Sequence, residues 1–442
     1  MRRIPVLVLG ALLLAACSRG YAPNQVSAPL TRDGQKVELA DYGTYHVYPA
    51  SVPAAPVPPK GYKPCYISHY GRHGSRYIQY DSQYVHIHDV LSKAHADGKL
   101  TALGESVYQR YEKVYPELKG RGGELTQIGQ AQHRAIAERM VGNYPKLFRS
   151  GSRIEVRTTN LERTMLSMNA FTNRMSEIRP GLSFFIDGSQ TEMNYLNPQS
   201  PSNPKGTAAD LKWRSFKGPW RPEFNAYRDA KIDSESFGER IFDDMDYALG
   251  LCRVVDLESN LYQFSCHLEG CPVEQVGFFD IFDKAELHDL AQIESAVFYI
   301  EKGRYPDPRS RGGLLSESLL NDFIVKTDED LENGVSARLR FGHDGCMLGL
   351  FSLIDQPGWN QVVSELDSVW NVWDTSPVTM AANIQLLFCR KGRSIIFTPL
   401  FNERQVSLPL TEVAPYWYDW SEARDKYSKI VAEACETIEK TN

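Results

Sequence analysis

The chain has little charge imbalance: 49 lysines and arginines face 55 aspartates and glutamates, for a formal net charge of −6 over 442 residues. So mild an acidic excess excludes the broad basic surface that nucleic-acid binding needs. Any anion site must be made locally, by gathering positive side chains into one cleft. Long hydrophobic runs are also missing. The one apolar stretch of note, Val6 through Ala16 broken at Gly10, is too short to span a bilayer. No paired Cys-x-x-Cys occurs, so Cys252, Cys266 and Cys271 lack the usual spacing of a zinc site. His86, His88, His95, His133, His267 and His288 show no metal-binding pairing either, and no internal repeat stands out. These observations call for no metal and no cofactor, and the length allows one large domain or two smaller ones sharing a core.

What is present begins at the N-terminus. Arg2 and Arg3 precede the apolar run, which together make the charged and hydrophobic parts of a secretory signal. Leu14-Ala15-Ala16-Cys17 resembles the bacterial lipoprotein cleavage box. That resemblance implies removal of residues 1–16, lipidation of Cys17 and a membrane anchor at the new N-terminus; an ordinary signal cleaved nearby is the alternative. The expected product is an exported bacterial lipoprotein, periplasmic or associated with the outer membrane. Residues 17–60 are expected to be an extended linker, because Pro53, Pro56, Pro58 and Pro59 crowd its end. With Cys17 lipidated, an odd number of cysteines remains, so at least one is free, and the trio at 252, 266 and 271 is the favoured place for a disulfide.

Three segments share a pattern in which an extended apolar run ends in polar residues and a helix follows, the place where α/β sheets put chemistry. The first is Cys65-Tyr66-Ile67-Ser68-His69-Tyr70, followed by Gly71-Arg72-His73-Gly74-Ser75-Arg76. In the second, Ile154 and Val156 alternate with Arg153, Glu155 and Arg157 up to Thr158-Thr159-Asn160, before a helix with Leu161, Met165, Met168, Phe171 and Met175 on one face. The third alternates Ala337, Leu339 and Phe341, then stops at Gly342-His343-Asp344 ahead of an apolar helix from Met347 to Ile354. Facing a phosphate, Arg72 and Arg76 could each hold two oxygens in a guanidinium fork, while Gly74 lets the backbone come close. His73 between them is a competent nucleophile as neutral imidazole, and phosphoryl transfer then needs mainly positioning, charge stabilisation and a proton for the leaving oxygen. Taken alone, His343-Asp344 is equally a helix start with Asp capping, His69 is more often a strand residue than a catalyst, and Arg157 sits on the strand.

Arg72-His73-Gly74-Ser75-Arg76 resembles the RHGxR signature of the histidine acid phosphatases, branch 2 of the histidine phosphatase superfamily. Val156 to Thr164 is similar to that family's second segment, and Phe341-Gly342-His343-Asp344 to its HD element. The resemblance implies His73 as nucleophile, Asp344 as proton donor, and Arg72, Arg76, Arg163 and His343 as phosphate-binding residues. Glu124 to Gly129 resembles the LTxxG helix start. Phe278 to Leu287, Glu301-Lys302-Gly303 and Leu400 to Arg404 resemble the multiple inositol polyphosphate phosphatase and phytase-like branch. That branch usually carries HAE, whereas His343-Asp344-Gly345 stands here, which places the acid on Asp344.

The resemblance further implies a three-layer α/β/α, phosphoglycerate-mutase-like core from residues 61–180 and 330–442. An inserted, mainly α-helical cap over 181–329 would cover the pocket. Near the end, Ile384 to Phe388 and Ile395 to Phe397 flank a hairpin, and a last helix capped by Ser421 buries Tyr427, Ile430, Val431, Ala434 and Ile438. The expected activity is phosphomonoester hydrolysis, with inositol polyphosphates including phytate favoured as substrates. A sugar-phosphate or broad-specificity acid phosphatase is the alternative, and a lipoprotein that binds phosphorylated ligands without turnover is the competing class.

Overall fold

The computed structural model describes residues 29–198, 200, 207–274 and 276–440. The signal segment and Cys17 lie outside these described residues. Nine strands make one mixed sheet: β1 (Lys63–Arg72), β2 (Arg153–Thr158), β3 (Ser183–Asp187), β4 (Ala337–Gly342), β5 (Asn383–Lys391), β6 (Ser394–Phe401), β7 (Arg404–Gln405), β8 (Glu412–Ala414) and β9 (Trp417–Asp419). Their order is β3-β2-β4-β1-β5-β6-β9-β8, with β7 on the end of β6. The first four in that order run parallel, and β5 returns antiparallel to β1. Their register brings three carboxyl ends to one level: Arg72 faces Gly342, and both Gly71 and Thr158 face Phe341. The three expected motifs therefore leave the sheet side by side, although far apart in sequence.

Period-two alternation decides which residues meet which layer. On one face Ile67, Ile154, Val156, Leu339 and Phe341 pack with Ile136, Met140, Phe171 and Met175 from the helices Gln127–Asn143 and Glu162–Ile178. On the other, Tyr66, Tyr70, Phe388 and Phe397 join the core shared with the helices Glu317–Asn333, Asp344–Leu353 and Trp420–Lys440. This is the expected three-layer α/β/α core; each fully buried Ile or Phe in it contributes about 1.5–3 kcal/mol. Arg338 and Arg340, the polar partners in the β4 alternation, are buried too. Asp330 takes a two-pronged ion pair from Arg338 at 2.7 Å for each arm, and Asp322 pairs with Arg340 at 2.6 Å.

The boundaries differ from the sequence reading in three places. Residues 29–48 are no linker: Val37, Tyr42, Val47 and Tyr48 are buried, and Lys284 of the insertion pairs with Asp41. The prolines that suggested extension begin only after this packed segment. Ser183–Asp187, expected in the cap, is the parallel neighbour of β2, from Arg153 opposite Ser183 to Arg157 opposite Asp187. Glu317–Asn333, also expected in the cap, packs on β1 and on the last helix. Two smaller corrections concern side chains. The seven described cysteines are free thiols; Cys266 Sγ faces the carbonyl of Asp41 at 3.8 Å and Cys271 Sγ that of His267 at 3.5 Å, so neither points at a partner thiol. The last helix is capped by Asp419, whose carboxylate accepts from the backbone N–H groups of Ser421 at 2.9 Å and Glu422 at 3.2 Å, with Ser421 already inside the helix.

Candidate active site

The loop after β1 is held by backbone before any side chain acts. His73 N–H donates to the Gly342 carbonyl at 3.0 Å, and the His73 carbonyl accepts from Ala381 N–H at 2.9 Å. Ala381 takes a left-handed φ of 57° to make that contact, a conformation a non-glycine residue adopts only at a cost of order 1 kcal/mol. The sequence reading gave Gly74 the task of letting a phosphate approach. Instead its bare Cα lies against another glycine: a Cβ there would stand 2.4 Å from the Gly129 carbonyl oxygen and 2.6 Å from Gly129 Cα. Thr126 caps the helix carrying Gly129 and its hydroxyl donates to the Ser75 carbonyl at 3.0 Å. The LTxxG element thus clamps the nucleophile loop.

Within that frame His73 has one tautomer open to it. Its Nδ1 lies 2.9 Å from the Gly74 carbonyl, which can only accept. Nδ1 therefore carries the proton and Nε2 the lone pair. Burial, then the guanidinium charges of Arg163, Arg72 and Arg76, push its pKa well below the usual imidazole value, so the ring stays neutral. The His343 ring lies edge-on to it, with centroids 5.6 Å apart. His343 caps the helix Asp344–Leu353, with its Nε2 3.2 Å from Thr159 Oγ1. Tyr70 fixes it from below, the hydroxyl donating to the His343 carbonyl at 3.0 Å and accepting from its N–H at 2.9 Å. Burial and the three arginines bring the His343 pKa down to about 3.

Cationic donors crowd this point. Arg72, fully buried, spends Nη1 on the carbonyls of Thr44 at 2.5 Å and Val378 at 2.9 Å. Its Nη2 stands 2.6 Å from Asp344 Oδ2, an ion pair out of line for a hydrogen bond. Arg76 Nη1 donates to the Tyr77 carbonyl at 2.9 Å and reaches His267 Nε2 at 3.3 Å. Arg163, from the first turn of Glu162–Ile178, has its pKa lowered to about 10, first by burial and then by Arg76. The Nε groups of Arg72, Arg76 and Arg163 are buried with no hydrogen-bond acceptor among the described residues. Leaving buried donors of charged groups unmet costs more than about 1–3 kcal/mol each, so three around one point make a site for an oxyanion.

Asp344 is the first residue of the helix that His343 caps, so the capping role the sequence offered for it does not hold. Its Oδ1 accepts from Gly345 N–H at 2.7 Å, while Oδ2 faces Arg72. Burial alone would raise its pKa, but Arg72, His343 and Arg76 hold it below the ordinary carboxylate value. His343, Asp344, Arg76 and Arg163 line one cavity of about 590 Å³ with Arg214, Arg228, Glu294 and Lys302 of the helical insertion. All six expected site residues thus meet at one place. Arg157 does not join them: it pairs with Glu155 at 2.8 Å. His69 is a buried strand residue against Phe171 and Phe341, its pKa down to about 3 mainly through burial. Sequence reasoning missed Tyr70, Tyr45, His267, Glu294 and Lys302. Tyr70 and Lys302 stand in segments singled out above without being given a role, and Glu294 leaves a trace as a carboxyl in the largely apolar helical stretch Ile293 to Ile300.

Comparison with known proteins identifies the fold. Residues 71–178 match the profile of the histidine phosphatase superfamily (branch 2), a span holding the first two motifs but not His343-Asp344. The chain has the histidine phosphatase fold. Among solved structures it is similar to the Bifidobacterium longum multiple inositol polyphosphate phosphatase in complex with phosphate, at 20% identity and a TM-score of 0.68, over 88% of this chain and 97% of that one. The same enzyme in complex with inositol hexasulfate gives 20% identity and a TM-score of 0.67 over the same shares. The phytase from D. castellii matches at 15% identity and a TM-score of 0.68, over 94% of this chain and 91% of that one. No curated protein matches the chain by sequence.

Proposed function

We propose that the chain is a phosphomonoester hydrolase that works through a phosphohistidine, with inositol polyphosphates as its preferred substrates. One observation carries the reading: three buried guanidinium groups, each with an Nε that has no acceptor among the described residues, gather at a neutral imidazole whose Nε2 lone pair is free to react. Arg72, Arg76, Arg163 and His343 bind the phosphoryl oxygens. His73 Nε2 forms the bond to phosphorus as the ester P–O bond breaks, and Asp344 gives its proton to the departing oxygen. Water then attacks the phosphohistidine, losing its proton to Asp344 and restoring His73. Asp344 is ionised at rest because Arg72 faces it. A bound phosphate takes over that guanidinium and adds negative charge, both of which raise the carboxyl pKa and load it for donation.

The substrate class rests on two further points. The cavity extends well beyond one phosphate, and its insertion wall presents Arg214, Arg228 and Lys302. The B. longum enzyme of the same fold was solved with inositol hexasulfate, a ring bearing six anionic groups. Export and anchoring through Cys17 complete the proposal, and Cys17→Ser is expected to release the protein from the membrane fraction. The direct test measures phosphate release from phytate, glucose phosphates and p-nitrophenyl phosphate under one set of conditions. Preference for phytate is expected. Equal rates on all three would leave a broad acid phosphatase, and no release from folded protein between pH 3 and 8 would leave only a binder.

A further inference from the structure

Besides Asp344 the cavity holds two carboxyls that the proposed chemistry does not use: Glu301, which pairs with Arg214 at 3.3 Å, and Glu294. Glu294 lies on Lys284–Lys302, the long helix of the insertion that packs against Asp344–Leu353. Its Oε1 accepts from Gln263 Nε2 at 2.9 Å and from the Tyr45 hydroxyl at 3.2 Å. Its Oε2 is shut off from solvent with no partner among the described residues, the backbone of Gly43 passing so close that a Cβ there would be 3.4 Å away. No Lys or Arg forms an ion pair with it among the described residues, which sets it apart from Asp344 with Arg72. Yet it borders the same space as Arg76, Arg163 and His343.

We propose that Glu294 decides when this cavity accepts an oxyanion: protonated it admits the anion, ionised it repels it. The inference rests on the oxyanion site described above and deepens it by adding a group that regulates it. The groups around Glu294 are Tyr45 from the N-terminal segment, Tyr262, Cys266 and His267 from Val254–Leu268, Arg76 from the nucleophile loop, Asp344 from its helix, Arg228 from the helix Arg221–Lys231, and Glu301 and Lys302 two turns along its own helix. Of these only Arg76, Arg228 and Lys302 are cationic, and an anion drawn into the cavity competes for them. Burial pushes Glu294 up to about 7, against the two hydrogen bonds and Arg76, which pull it down. A bound anion raises it further, so binding takes up a proton near neutrality. Tyr45 links the same carboxyl to the phosphate-binding arginine, since its ring lies 4.2 Å from that of His267, whose Nε2 meets Arg76.

Sulfate is the probe of choice because it stays a dianion across the range, and calorimetry reads its binding without any turnover. Between pH 5.5 and 7.5 the affinity of the whole protein should fall about threefold, the part of one pKa unit of coupling on a group near 7 that is expressed by pH 7.5. Close to pH 7, roughly 0.4 of a proton should be taken up per sulfate, read from buffers of different ionisation enthalpy. Lys302, brought down to about 8 chiefly by burial, adds a second fall centred above that window. Glu294→Gln, which keeps the shape, should flatten the first fall and remove roughly 0.4 of a proton from the uptake near pH 7, leaving only what Asp344 takes up. Tyr45→Phe removes one bond that favours the carboxylate and should move the fall to higher pH. Affinity independent of pH in the parent protein, or a fall unchanged in Glu294→Gln, overturns the inference while leaving the phosphatase reading intact. No sulfate binding at pH 5.5 would remove both.

Discussion

Replacing Asp344 by Asn separates two effects that the same carboxylate exerts in opposite directions. The side chain is isosteric, so the contact to Gly345 N–H survives through the amide oxygen. The proton is lost. For an alkyl phosphate, whose alkoxide leaves poorly, removing a general acid costs about 10²–10⁴ in rate. With p-nitrophenyl phosphate the leaving group barely needs the proton, and the loss should shrink to about tenfold or less. Oxyanion affinity should move the other way. Asp344 Oδ2 stands 2.6 Å from Arg72 Nη2, and at an effective dielectric of about 20 that contact is worth roughly 6 kcal/mol before desolvation is set against it. The amide releases the guanidinium and removes a like charge, so sulfate or phosphate should bind at least about tenfold more tightly, or ~1.4 kcal/mol. Steady-state kinetics on glycerol phosphate and p-nitrophenyl phosphate, with calorimetry of sulfate, read all three quantities. Equal rate losses on both esters, or weaker sulfate binding, would refute the assignment of Asp344 as a proton donor held by Arg72.

Two further outcomes follow from the same contacts. Gly74→Ala drives a Cβ into the backbone of Gly129, and neither side can swing away; urea denaturation should show a loss of about 1–3 kcal/mol or more, together with lost turnover, and an unaffected variant would contradict the glycine-to-glycine clamp. Stability should peak between pH 6 and 7. His69, His133 and His343 fall to about 3 through burial, so what they contribute is complete above the unfolded imidazole value near 6.5 and is lost as pH drops toward 3. Glu258 and Glu294 are raised to about 8 and about 7, mainly by burial, so their share is complete below about 4.3 and is lost as pH climbs through 7 and 8. Urea midpoints from pH 4 to 9 would check this, and a steady rise to pH 9 would contradict it.

The parts of the site that sequence could reveal are those whose chemistry sits in one short stretch. Arg72-His73-Gly74-Ser75-Arg76, Thr159 to Arg163 and Gly342-His343-Asp344 each leave a strand within a few residues of its end, so strand, turn and functional side chain are written together. Their meeting was also inferable, because three strands ending in polar residues are where an α/β sheet opens a crevice. Tyr45, His267 and Glu294 were hidden because each acts from an element whose local pattern says only loop or amphipathic helix, and Lys302, though part of the Glu301-Lys302-Gly303 segment, carried no role there. The N-terminal segment was misjudged because prolines at 53–59 outweighed the aromatic and β-branched residues before them. Val37, Tyr42 and Tyr48 mark it as packed once their burial is seen. β3 was assigned to the insertion because five residues between a helix end and a turn carry little signal of their own; pairing with β2 is what makes them a strand. Arg338 and Arg340 alternate as a solvent face would, and only Asp330 and Asp322 on a helix nearby in sequence make that face an interior.

The account turns on a covalent bond between phosphorus and one ring nitrogen. Rapid quenching of the enzyme with a radiolabelled phosphomonoester, followed by peptide mapping under alkaline conditions, looks for it directly. Label that is acid-labile, alkali-stable and confined to His73, and absent from His73→Ala, is the predicted result. Full turnover by His73→Ala, or label on any other residue, would contradict it.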